Sequence, residues 1–267
     1  MSKLKEKVAR VTEKIKILLI VYLIGGFLAG VLFAFRGWGW IRIWRWEKFP
    51  TYKRNPGLYK NGLIVVSNHP HLLGCMLEVW LPVLFYRDYL RHPFMLRPFS
   101  VPDKSNFPDK WYWRWIKPVA VPINRKGKAE DAKHEIERLI GILKSGGICV
   151  IFAEGGRTFK GTKFQRSAKG KRVRILDRGV ALLAQKTGAV VLPIWVEDVN
   201  EASSADNANN LDPKKLYHRL PKFWEGVIVK VDDIIKFEGI QFKGKPGGEK
   251  IVQDLTDTLL KLADEEE

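Results

Sequence analysis

With 267 residues, 46% hydrophobic and 28% charged, the chain can bury a full core, which excludes an intrinsically disordered segment. A formal net charge of +17 points to anionic partners such as nucleic acid, lipid headgroups or phosphorylated small molecules. Cys75 and Cys149 lie in apolar runs at no metal-ligand spacing, so reduced, buried thiols in a cytosol-facing domain are expected, and no metal site.

The first distinctive element is "ILLIVYLIGGFLAGVLFAF", Ile17 to Phe35, uncharged and about long enough to cross a hydrocarbon core as a helix. The basic stretch before it repeats Val8, Val11 and Ile15 at helical spacing. After it, "RGWGWIRIWRW" interleaves Trp38, Trp40, Trp44 and Trp46 with Arg36, Arg42 and Arg45, a composition suited to headgroups. The run is long for a cleaved signal peptide and lacks a small-x-small site. Cations flank both ends, and Gly25, Gly26 and Gly30 weaken the helix in mid-run. The expectation is therefore a monotopic hairpin or re-entrant anchor with both ends cytosolic, in preference to a simple span. Residues 1–50 are assigned to this anchor and interfacial segment, and 51–267 to an α/β domain.

Within the domain, "GLIVVS" (Gly62 to Ser67) is expected to form a buried strand, and "CMLEVWLPVLFY" a helix kinked at Pro82. "AEDAKHEIERLIGILKSGG" places Ala132, Ile136, Leu139, Ile140 and Leu143 on one helical face before the Gly146-Gly147 stop. "ICVIFAEGG" reads as a second buried strand, "RGVALLAQKTGA" as a helix, "VVLPIWV" and "GVIVKV" as strands, and Lys250 to Ala263 as a closing amphipathic helix. Alternation of strands and helices predicts an α/β fold with a largely parallel central sheet flanked by helices, preceded by the hydrophobic anchor. The stretch "NEASSADNANN" reads as a loop.

Four short blocks carry chemistry. "SNHPH" follows a strand, where His69 is available as a general base if another group fixes its ring. "VPINR" ends in Arg125 at a strand exit, a residue suited to a bidentate grip on phosphate or carboxylate. "FAEGGRT" brings Glu154, Gly155, Gly156, Arg157 and Thr158 into one strand-to-loop turn, with a carboxylate, a close-approach backbone and a cation for a phosphorylated polyol. In "VVLPIWV", Pro193 hints at a strand end shaped by a site.

In this order and at these separations, the blocks resemble the 1-acylglycerol-3-phosphate O-acyltransferase family of glycerolipid acyltransferases, over roughly Asn61 to Val196. "NHPHLLG" is similar to its N-H-x-x-x-x-D block, and "VPINR" to its Arg-terminated block. "FAEGGRT" is similar to F-P-E-G-T-R-S, with Ala153, Gly156 and Thr158 at the substituted positions, and "VLPIW" to the last block. The resemblance implies transfer of a fatty acyl group from acyl-CoA or acyl carrier protein to a lysophospholipid, with 1-acylglycerol-3-phosphate giving phosphatidic acid as the favoured case. It implies His69 as the base that deprotonates the acceptor hydroxyl. Arg125, Glu154, Gly155 and Arg157 would hold the glycerol phosphate, together with Gly156 and Thr158 of the same block. A thioester is already activated, so no bound cofactor or metal is expected.

The family aspartate that orients the histidine is replaced by Gly74. Glu78 lies one helical turn further on, Glu154 stands on a neighbouring strand from which it could approach through the pocket, and His71 could itself be the base or hydrogen-bond His69. They are placed in that order as substitutes. The alternatives are a catalytically inactive or altered lipid-binding relative, or an acyltransferase with a different lipid acceptor.

The basic run that follows the third block carries Lys160, Lys163, Arg166, Lys169, Lys171, Arg172, Arg174 and Arg178 against a single local acid, Asp177. No nucleic-acid motif accompanies it. An anionic bilayer, coenzyme A phosphates or an acidic acyl carrier protein suits it better, so the protein is expected at the cytosolic face of a membrane. "KWYWRWIKP", with Trp111, Trp113 and Trp115, reads as an interfacial ridge or a buried aromatic cluster.

Overall fold

A computed structural model describes residues 2–51, 57–69, 98–104, 120–124, 129–155, 163–198 and 227–266. The chain opens with α1 (Ser2–Leu19), a π-helical segment Ile20–Gly25, and α2 (Gly26–Gly37). No turn residue separates them, and Leu19 and Gly26 both keep right-handed helical dihedrals. The reversal of an anchoring hairpin is thus absent from the described run, and the glycines sit inside helix. Among the described residues no helix is long and apolar enough to cross a membrane.

Among the described residues eight strands follow: β1 (Ile41–Trp44), β2 (Leu63–Ser67), β3 (Pro98–Ser100), β4 (Ile148–Phe152), β5 (Phe164–Arg166), β6 (Arg172–Arg174), β7 (Val190–Asp198) and β8 (Val227–Val231). Six form one sheet in the order β1-β8-β7-β2-β4-β3, and β5-β6 is a separate antiparallel hairpin. Four of the five pairings in the main sheet are parallel. The exception is β7 with β8, which turns β8 and β1 against the rest. Three helices complete the described fold: α3 (Ala129–Lys144), α4 (Gly179–Thr187) and α5 (Gly244–Asp264).

Every residue of β2 is buried, as a central strand covered on both faces requires. Because side chains alternate, Ile64 and Val66 enter one core layer and Leu63 and Val65 the other. The first layer is closed by Leu139 and Leu143 of α3, Val180 and Leu183 of α4, and Ile251, Leu255 and Leu259 of α5. The second gathers Ile148, Val150, Leu192, Ile194 and Val229 with Ile17 of α1, Ile41 and Phe49.

Three expectations change. Ile41–Trp44 is an edge strand paired to β8, with Ile41 buried, so the sheet takes in residues that the sequence pattern assigns to a lipid interface. The strand expected to lead into Arg125 exists as isolated parallel bridges, Ala120 to Ser100 and Ile123 to Asp103, beside β3. Pro193 lies inside β7 rather than at its end. Its carbonyl accepts a bond from the Asp232 N–H, and the β8 ladder lapses there between Val231 and the isolated Ile235 bridge. The missing proline donor coincides with a gap in the ladder and costs no hydrogen bond there. Cys149 is buried, as expected. Cys75, the Pro82 helix, Trp111, Trp113, Trp115 and the 200–210 loop lie outside the described residues.

Candidate active site

Parallel registry sets the site. Ser67 pairs with Phe152 of β4 and with Ile194 of β7, so β2 and β4 end level while β7 runs on to Asp198. Two residues beyond the paired ends stand His69 and Glu154, 85 positions apart in sequence and bonded in space. The Glu154 Oε1 accepts the His69 backbone N–H at 2.8 Å, and its Oε2 accepts the Arg174 backbone N–H at 3.0 Å. Glu154 is only 2% exposed, and these charge-assisted bonds stabilise a carboxylate in that setting. It holds the main chain at His69 and ties it to β6. Glu154 thus meets His69, and the contacts described are with backbone amides.

The His69 ring stacks on Phe152, with centroids 4.4 Å apart and planes 26° apart, and its Nδ1 is shielded from solvent while the residue as a whole is half-buried. One edge of the imidazole is thus turned inward and the ring plane is fixed by packing. Asn68, 3% exposed, makes the second anchor. Its Nδ2 donates to the Val196 carbonyl at 2.9 Å, and its Oδ1 accepts the Val196 N–H at 2.7 Å. The side-chain amide replaces one rung of the parallel ladder after the β2 backbone has turned away. Ser67 adds a 3.0 Å bond from Oγ to the Asn68 carbonyl.

After β4 the chain turns sharply. The Gly155 N–H points at the Phe152 carbonyl at 3.4 Å with φ +65°, a left-handed conformation that glycine adopts without a Cβ penalty. The Asp177 N–H donates to the Ala153 carbonyl at 2.5 Å, so the segment after β6 lies along this turn. On the far side, the Asn124 N–H donates to Glu135 of α3 at 2.9 Å and fixes the chain immediately before Arg125.

Residues 45–197, more than half of the chain, match the family model described as Acyltransferase. The chain belongs to the acyltransferase family. The match takes in all four chemistry-bearing blocks, and the protein is accordingly an acyl-transferring enzyme. In this acyltransferase the structure joins the first and third blocks through His69 and Glu154, and the first and fourth through Asn68 and Val196. His71, Gly74, Glu78, Arg125, Gly156, Arg157 and Thr158 lie outside the described residues.

The basic run resolves into a braced hairpin. Lys171 donates to Glu197 at 2.7 Å, and the nearly buried Lys230 reaches the other oxygen of Glu197 at 2.9 Å. Burial alone would raise the Glu197 carboxyl, but bonds and charge from Lys171 and Lys230 outweigh it and hold the group below its ordinary value. Asp264, at the end of α5, accepts from Ser167 Oγ at 2.5 Å and from the Lys169 N–H at 3.1 Å. Lys169 also pairs with Glu266, and Arg178 pairs with Glu249 at 2.8 Å. The local sequence shows one counter-charge; the fold supplies others from as far as 97 residues away. Asp177 instead closes a local turn just before α4, accepting the Gly179 N–H at 3.0 Å.

Sequence reasoning alone passes over Asn68, Phe152, Glu135 and Glu197. Asn68 stands beside the histidine in the motif and was the one with a visible signal. The others depend on pairings distant in sequence.

Proposed function

We propose that this acyltransferase moves a fatty acyl group from acyl-CoA or acyl carrier protein to a lysophospholipid hydroxyl, with 1-acylglycerol-3-phosphate as acceptor and phosphatidic acid as product. The observation that carries the proposal is the bond between the first and third blocks. Glu154 fixes the main chain of His69 at the carboxyl end of β2, next to the turn that leads into Gly156, Arg157 and Thr158.

His69 takes the acceptor proton as the hydroxyl oxygen attacks the thioester carbonyl, and the thiolate leaves on collapse. Arg125 and Arg157 hold the phosphate, with Glu154 and Gly155 shaping the turn beneath it. Glu78, or His71, sets the ring of His69 in place of the absent aspartate at position 74. No bound cofactor is required, because the thioester carries the activation. The enzyme works at the cytosolic face of an anionic bilayer, where its lysolipid acceptor resides. The exposed Leu23, Phe27, Phe33 and Trp38, between 61% and 72% accessible, support that placement.

The test is acyl transfer by the purified full chain, using labelled acyl-CoA or acyl carrier protein with 1-acylglycerol-3-phosphate. His69→Ala should abolish transfer. Undiminished turnover by that variant would remove His69 from the mechanism. Mass spectrometry of the lipid product distinguishes phosphatidic acid from acylated amino lipids or glycolipids, the second acceptor class considered.

A further inference from the structure

Helix α1 presents an apolar stripe that the fold leaves uncovered. Leu4, Val8, Val11, Ile15 and Leu19 are between 48% and 70% exposed. At about 100° per residue they fall within roughly 80° of arc on one side of the helix. Ile17, on the opposite side, is 6% exposed and belongs to the second core layer. Residues 4–16 of the helix are all exposed, so it is held to the protein at its Ile17 end and offers the stripe to the surroundings.

The charges around this stripe are ordered. Lys7 and Lys14 border it on one flank, and Lys5 and Lys16 on the other. Both acids of the helix, Glu6 and Glu13, lie on the side of Ile17, with Glu6 paired to Arg10 at 3.6 Å. A second copy of the helix is a poor occupant, although the stripe has a heptad-like spacing. Its flanks would bring Lys7 and Lys14 against lysine, threonine or leucine, with no opposite charge. An anionic lipid surface satisfies both features, since it accepts the aliphatic ridge and attracts the lysines on either side.

We infer that α1 lies in the plane of an anionic bilayer, with the Leu4–Leu19 stripe inserted and the sheet domain held above it through Ile17. The inference rests on the proposal that the enzyme works at a lipid surface, and it names the element that makes the first contact. It assigns to α1 an in-plane role distinct from that of the longer apolar run.

The test uses the full chain with Cys75 replaced by Ser and the buried Cys149 retained. An environment-sensitive fluorophore is attached at Val11→Cys or, on the other face, at Glu13→Cys. Vesicles of phosphatidylcholine with phosphatidylglycerol should shift the emission of the label at 11 to the blue and leave the label at 13 unchanged, and added salt should reduce the shift. The exposed pair Val8→Asp and Val11→Asp should weaken binding to these vesicles about tenfold or more. Its transfer to a soluble short-chain acceptor should remain unchanged.

Equal shifts at both positions would overturn the inference by showing a helix surrounded by lipid. Vesicle binding without a shift at 11 would overturn it while leaving membrane action intact. A shift at 11 that needs only high protein concentration would assign the stripe to a second copy. Failure to bind vesicles at all would remove both the inference and the proposed site of action.

Discussion

Asn68 stands where β2 has no further backbone group to offer β7, and its amide supplies the donor and acceptor that Val196 needs. Asn68→Ala leaves both backbone groups buried without that partner, at a cost of about 1–3 kcal/mol for each. The variant should unfold at lower urea with an unchanged slope, and it should lose activity because the next residue is His69. Glu154 acts on the same main chain by a different chemistry. Glutamine keeps one carbonyl oxygen but turns its NH2 group toward a backbone donor, so either the His69 or the Arg174 bond is lost. A charge-assisted bond of about 1.5–3 kcal/mol corresponds to roughly a tenfold to hundredfold fall in kcat for Glu154→Gln, if the bond serves to position His69. Steady-state kinetics separates this from a role in holding the acceptor, which would appear chiefly in KM.

At the scale of elements, Gly62 determines how β2 begins. Its φ is +82°, and a Cβ there would lie 2.6 Å from the Leu143 carbonyl oxygen at the end of α3. Gly62→Ala should therefore cost more than the ~1 kcal/mol of an ordinary glycine replacement and lower the Tm accordingly, read by calorimetry. The hairpin β5-β6 depends on a charge instead. Because Glu197 is held below its ordinary 4.5, its ion pairs add stability that is complete above that value and lost as pH falls through the lowered one. Glu197→Gln should lower the Tm by several degrees at neutral pH, and the two Tm–pH curves should converge on acidification.

These two elements differ in how readily they can be read from sequence. β2, β4, α3 and α4 follow from β-branched runs, helical periodicity and glycine stops, all local signals. The three-residue strands β5 and β6 contain more charge than apolar surface. They exist because Asp264 and Glu197 arrive from distant parts of the chain. β1 was hidden for a different reason: alternating Trp and Arg suits a lipid interface as well as a sheet edge, and only its pairing with β8 decides. In the site, the motif identified His69 and Glu154, but not that the carboxylate would hold a backbone amide, because that depends on strand register.

Across the whole molecule, the last residues connect parts that are otherwise far apart. Asp264 holds the hairpin, and Glu266 pairs with Lys169. Glu265 binds Arg45, the sole non-glycine residue with positive φ among those described, at 2.8 Å, and its carbonyl accepts from Lys230 at 2.6 Å. The hairpin in turn delivers the Arg174 N–H to Glu154. A chain ending at Ala263 keeps Leu255, Leu259 and Leu262 in the core, and its new terminal carboxylate lies where the Ala263 carbonyl now meets Lys230 at 2.9 Å. The sheet should therefore stay folded, with the Tm lowered by only about 5 °C, since exposed pairs contribute little and ~1 kcal/mol moves a chain of this size by a few degrees. Local order should suffer more than global stability. Hydrogen exchange at Phe164 to Arg174 should accelerate while β2 and β4 remain protected, and kcat should fall further than the change in Tm would suggest. Glu266→Gln, which removes only one exposed pair, should leave both nearly unchanged. If hairpin protection and turnover both survive the truncation, Asp264 is not what positions the hairpin, and the link from the C-terminus to the active site is broken.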